Sequence, residues 1–147
     1  MMSKRTTFFA GVFALLSSSA LAAESVKMFS TSGCGCCIGW MKHLEEAGFE
    51  VDNENLAMAD LYAKKMGAGL KPGQTSCHTG FVGGYVVEGH VPAAEVRRLL
   101  AERPDAIGLA VPNMPAGSPG MGTSDEPYDV LLVARDGTST VYATYPK

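Results

Sequence analysis

The apolar positions of the chain fall into short blocks separated by polar and glycine-rich breaks. Residues 26–31 predict a first strand, ended by Thr31, Ser32 and Gly33. Over 36–47, Ile38, Trp40, Met41 and Leu44 suit one face of a helix that stops at Gly48. Residues 49–53 predict a second short strand. Residues 55–66 predict a second helix, with Leu56, Met58, Leu61 and Tyr62 at near-helical spacing before Gly67. A loop rich in Gly and Pro follows over 67–73. Phe81-Val82 and Tyr85-Val86-Val87 then flank Gly83-Gly84, a pair able to take the positive φ angles of a two-residue hairpin turn. Pro92 stands at a favourable first-turn position for a third helix running to Glu102, with Val96, Leu99 and Leu100 inward. Residues 106–111 are apolar and extended, and 112–127, dense in Gly, Pro, Ser and Met, are irregular chain. Residues 128–134 and 139–145 make a second antiparallel pair around Arg135-Asp136-Gly137-Thr138, whose Asp-Gly is a turn signal.

The order is strand, helix, strand, helix, hairpin, helix, with an extra hairpin at the end. Its first six elements match a thioredoxin-like α/β sandwich with a mixed sheet, to which a C-terminal β-hairpin is added. Ahead of it, residues 1–23 have the layout of a secretory signal. Lys4 and Arg5 give a positive start, 8–16 are apolar, and Ala20-Leu21-Ala22 is an A-x-A cleavage site. The expected product is a soluble periplasmic chain of one domain over 24–147, since the apolar run is too short to span a bilayer and no second one follows. Losing Lys4 and Arg5 moves the formal net charge from −3 to about −5, which disfavours nucleic acid as a partner. Roughly 125 residues can bury a core without covalent staples, so the four cysteines are free for chemistry.

Three of those cysteines lie in Gly33-Cys34-Gly35-Cys36-Cys37, between a strand and the start of a helix. Unpaired backbone N–H groups and the helix dipole favour negative charge there, so thiols should ionise readily. Cys34 and Cys37 satisfy C-x-x-C, the spacing of a thiol-disulfide oxidoreductase in which Cys34 would attack and Cys37 resolve. Cys36 turns the balance toward metal, because an exchange enzyme gains nothing from a third thiol that invites wrong pairings. Side chains of successive helical residues point about 100° apart, so Cys36 and Cys37 are better placed to bridge several ions than to chelate one. Zinc sites usually pair C-x-x-C with a second ligand pair, whereas copper(I) takes few ligands and favours sulfur. Cys77, in Thr75-Ser76-Cys77-His78-Thr79, enters the strand that packs against the first turn in a thioredoxin-like fold. It is therefore expected to face the other three across a few ångströms. Ordinary disulfides in an oxidising compartment are the competing explanation for four cysteines, and clustering in one turn weighs against two of them.

These residues resemble the CopG-type periplasmic copper-resistance proteins, a metal-binding family long catalogued as a domain of unknown function. The resemblance rests on Cys34-Gly35-Cys36-Cys37, Ser76-Cys77-His78-Thr79, Gly89-His90-Val91-Pro92, Pro112-Asn113-Met114-Pro115 and Gly117-Ser118-Pro119-Gly120-Met121. It implies a thioredoxin-like fold with a cysteine-bridged copper site, and a role in copper tolerance that extends to copper redox conversion. The expected ligands are Cys34, Cys36, Cys37 and Cys77. Met121 is an auxiliary thioether or lid, favoured because it lies in an irregular loop where packing does not explain it. Met28, Met41, Met58 and Met66 are read as packing residues, and Trp40 as core cover. No role falls to His43. His78, expected to point away from Cys77 on an extended segment, and His90 are divided between structural bonding and ligation. The chain is thus read as a metal-binding protein rather than an enzyme, holding copper(I) as a multinuclear cluster. Its partners are copper ions and other periplasmic copper-handling proteins to which it would pass them.

Overall fold

The computed structural model describes residues 23–147, so residues 1–22 of the signal-like segment lie outside the described residues. The chain runs β1 (Ser25–Ser30), α1 (Gly35–Glu46), β2 (Glu50–Asn55), α2 (Met58–Gly67), a 3-10 turn (Pro72–Gln74), β3 (Thr79–Val82), β4 (Tyr85–Glu88), α3 (Ala93–Glu102), β5 (Gly108–Ala110), β6 (Tyr128–Val133) and β7 (Ser139–Tyr145). All seven strands form one sheet in the order β2-β1-β3-β4-β5-β6-β7. β1 and β2, and β4 and β5, run parallel; the other neighbours are antiparallel. The sheet is therefore mixed, as expected, and the last hairpin continues it through β5 rather than packing as a separate layer.

Alternation along the strands sends side chains to two faces. Val87, Leu109 and Val130 join Val26, Met28, Cys37, Trp40, Leu44, Val96 and Leu99 in the larger core, under α1 and α3. Val86, Ala110 and Val133 join Leu70 on the other face, with Met66 of α2 against them. Trp40 is fully buried at the centre of the larger core, and its indole Nε1–H donates to the Val91 carbonyl at 2.8 Å. Gly80 makes room for it. A Cβ on that strand residue would lie 3.4 Å from the Trp40 ring and 3.2 Å from Val26.

Three local expectations shift. The second helix begins at Met58 instead of Asn55, because Asn55 pairs with Ser30 in the β1–β2 ladder and the sheet keeps the chain extended to that point. Ile38 faces outward with 47% of its surface exposed; the buried stripe of α1 is Cys37, Trp40 and Leu44. Met58 is 69% exposed, so packing does not account for it. The Gly83-Gly84 turn behaves as its sequence predicts, with φ of 56° and 88°. Among the described residues no helix is long and apolar enough to cross a membrane.

Candidate metal centre

β1 delivers the chain to the centre. It ends at Ser30, a turn through Gly33 follows, and Cys34 becomes the N-cap of α1, with no acidic residue in the first turn. Because β3 lies antiparallel beside β1, with Phe29 opposite Thr79, the bend at Cys77 falls next to that first turn. The four sulfurs consequently lie within 4.8 Å of one another. Cys77 Sγ is 3.6 Å from Cys37 Sγ and 3.8 Å from Cys36 Sγ, and Cys36 Sγ is 3.5 Å from Cys34 Sγ. Both helical cysteines thus reach Cys77 despite the angle between their Cα–Cβ directions. Cys34 and Cys37 are joined by a disulfide, while Cys36 and Cys77 are free. The competing explanation therefore holds for one pair. A four-thiolate donor set exists only once that bond is reduced.

Two histidines complete the surroundings of Cys77. His90 Nδ1 is 2.7 Å from the Pro119 carbonyl, which can only accept, so Nδ1 carries the proton and Nε2 is bare. That bare nitrogen lies 3.0 Å from Cys77 Sγ. His78 Nδ1 lies 3.3 Å from the same sulfur, contrary to the expected outward orientation. The reason is local: Cys77 sits in a bend and the regular strand begins only at Thr79. His78 is fully buried between Trp40 and His90, its ring centroid 4.4 Å from the first and 4.9 Å from the second, and its Nε2 has no hydrogen-bond partner among the described residues. Burial holds His78 well below the ordinary histidine range, with His90 and Lys65 adding to it, and burial also lowers His90. Both rings are therefore neutral near pH 7, the form that binds metal. Burial pushes the Cys77 thiol up to about 12, with the neighbouring Cys36 adding to the effect. Without a cation Cys77 stays a neutral thiol, able to donate its proton to His90 Nε2.

Behind Cys77 stands an ion pair that sequence reading missed. Lys65 Nζ donates to Glu88 Oε1 at 2.6 Å and to Thr79 Oγ1 at 2.8 Å, with side chains only 5% and 0% exposed for Lys65 and Glu88. Glu88 Oε1 also accepts the Ser76 N–H at 2.6 Å, and Oε2 accepts from Thr79 Oγ1. The pair thereby fixes the backbone just before Cys77. The one signal for it was a glutamate closing the apolar block Tyr85-Val86-Val87. His43 was missed as well: its Nε2 accepts the Ala93 N–H at 3.0 Å, capping α3 from α1.

The 112–127 segment is irregular, as expected, and it folds back onto α1. At the crossing, a Cβ on Gly39 would lie 2.8 Å from Gly120 Cα, and one on Gly120 would lie 2.5 Å from the Cys36 carbonyl. Met121, half-buried, follows that crossing, its N–H bonded to the Ser118 carbonyl at 2.9 Å. Met114 takes a different place. Together with Met58 and Cys77 it lines a cavity of about 320 Å³. Once the Cys34–Cys37 bond is reduced, the centre offers four sulfurs beside two neutral imidazoles, a donor chemistry that fits a soft, low-coordinate ion.

Fold and centre together define a mixed α/β protein carrying a cysteine cluster capable of binding metal. The chain is 43% identical to a solved structure described as "Copper resistance protein copG- Form 1", covering 86% of this chain and all of that one, with a TM-score of 0.78. A second solved structure, "Copper resistance protein copG- Form 2", matches at 43% identity over 85% of this chain and all of that one, with a TM-score of 0.77. The chain belongs to this copper resistance protein family. Residues 74–121, which hold Cys77, both buried histidines and Met114, also match the family described as "Protein of unknown function, DUF411". No curated protein matches the chain.

Proposed function

We propose that the chain is a periplasmic copper-resistance protein that holds copper(I), in more than one ion, on Cys34, Cys36, Cys37 and Cys77. The observation that carries this reading is the convergence of four sulfurs from two distant segments within 4.8 Å, with neutral imidazoles and no carboxylate in the ligand set. Thiolates that bridge ions satisfy copper(I) without the further ligand pair a zinc site calls for. The sheet order β2-β1-β3-β4, with helices on both faces, supports the thioredoxin-like assignment. The family's copper-resistance descriptions support the metal and, with the signal-like start, the compartment. The Cys34–Cys37 disulfide is a two-electron couple at the same centre, which supports a role in which copper changes oxidation state there. Met121 stands beside this set as an auxiliary thioether.

The test is purification of the mature protein from periplasm without reductant, with copper measured by mass spectrometry beside a free-thiol count. More than one copper ion per chain is expected, with loss of the excess in Cys36→Ser. Protein that stays metal-free after the Cys34–Cys37 bond has been reduced in the presence of copper(I) sinks the reading.

The disulfide favours a second reading, a thiol-disulfide oxidoreductase using Cys34 and Cys37. Cys36 and Cys77, each within 4 Å of a disulfide sulfur, oppose it by offering competing partners. An insulin-reduction assay separates the two: a metal store turns over little, and an exchange enzyme turns over repeatedly.

A further inference from the structure

Five large apolar side chains are notably exposed among the described residues, and two of them are methionines, Met58 at 69% and Met114 at 50%. They come from positions 56 residues apart, yet both line one cavity with Cys77, beside Thr31, Leu61 and Lys65. Methionine ordinarily fills irregular gaps in a core; an exposed thioether gains little from burial and keeps its sulfur available. Thioethers bind soft monovalent ions without losing a proton, but less tightly than thiolates do.

Both positions are built. Met58 opens α2, anchored by the Leu61 N–H bonded to the Ala57 carbonyl at 3.0 Å. Met114 follows Asn113, which holds a left-handed φ of 61°. Asn113 is tied to the Cys77 loop twice, its N–H bonding the Thr75 carbonyl at 3.0 Å and its carbonyl accepting from Ser76 Oγ. The segment that carries Met114 is therefore pinned one residue from Cys77. The one cationic side chain in the walls, Lys65, is matched by Glu88 at 2.6 Å, so its charge does not bar a cation.

We propose that Met58 and Met114 form a transit site for a soft monovalent ion, copper(I) or silver(I), through which metal reaches and leaves Cys77. This rests on the copper(I)-binding reading above and adds the route and the residues that make it. The ion stays monovalent throughout. On passing inward it forms a bond to Cys77 Sγ, gives up its thioether contacts and displaces the thiol proton to solvent.

The test uses the reduced full-length mature chain and copper(I) held as its bicinchoninate complex. Stopped-flow absorbance gives the loading rate, and equilibrium competition gives the amount bound. Met58→Leu/Met114→Leu keeps the apolar bulk at two exposed positions and should load about tenfold more slowly with the bound amount unchanged. Met66→Leu, on the same helix but packed against the smaller core, should load at the wild-type rate. Equal rates in the double variant and the wild type overturn the transit site while leaving the cluster intact. Loss of bound copper at equilibrium also overturns it, by making these thioethers permanent ligands. A wild type that takes up no copper(I) fails the copper reading itself and the transit site with it.

Discussion

At the scale of single residues, the charges and rings that hold Cys77 in place were the least legible part of the sequence. Lys65 follows a second lysine on α2 and carried no mark of burial, and Glu88, closing an apolar run, was the one signal; they meet only because α2 lies across β3 and β4. Removing one member leaves the other as an uncompensated buried charge. Lys65→Ala is expected to cost about 3–5 kcal/mol of stability by urea denaturation, and Lys65→Met/Glu88→Leu much less. The second of these distinguishes a missing partner from a missing volume. His43 follows the same logic on a smaller scale. Its partner lies 50 residues away, so nothing local marked it. Burial lowers its pKa below the ordinary 6.5, with Glu46 opposing in part. The unfolded chain therefore takes up the proton first as pH falls. Stability from the neutral ring is present above about pH 6.5 and is lost below it, once a protonated Nε2 can no longer accept the Ala93 N–H. His43→Ala should cost about 1 kcal/mol at pH 7, the usual worth of a helix cap. Thermal melts from pH 7.5 to 5 should show a shallower acid slope in that variant than in the wild type. Cys34, Cys36, Cys37 and Cys77, by contrast, were readable as a group, because three share one turn and the strand order brings the fourth to it.

At the scale of elements, the period of apolar residues located the helices and both hairpins, while their boundaries followed the sheet. α2 yields its first three expected residues because Glu54 and Asn55 continue the ladder with Phe29 and Ser30. The irregular segment 112–127 was legible as irregular from its Gly and Pro, and its destination was not. Its destination is set by Gly39 and Gly120, whose missing side chains let two backbones touch directly above Cys36. The same segment presents the Pro119 carbonyl that fixes the tautomer of His90. Gly39→Ala inserts a methyl group where Gly120 Cα already stands at 2.8 Å. The variant should lose about 1–3 kcal/mol through overpacking. It should also hold copper(I) less tightly in chelator competition, because lifting the segment releases His90. A variant that melts earlier but binds copper(I) unchanged would show that the crossing serves stability alone.

At the scale of the whole molecule, the sheet joins two redox states of one centre to one scaffold. The succession of its elements was readable up to α3 from the alternation of strands and helices, and the attachment of β6 and β7 through the three-residue β5 was not, since so short a strand carries almost no pattern. The oxidised chain offers only Cys36 and Cys77 as free thiols, and reduction doubles the set. Copper(I) uptake titrated before and after treatment with a thiol-specific reductant should at least double, and equal uptake in the two states would remove Cys34 and Cys37 from the ligand set. On the proposed copper(I) reading, the bond between them sets a condition on storage that has nothing to do with copper supply. Each chain must receive two electrons before its full capacity opens, so two cells making equal amounts of this protein would tolerate unequal copper loads according to how generously their envelopes deliver reducing equivalents.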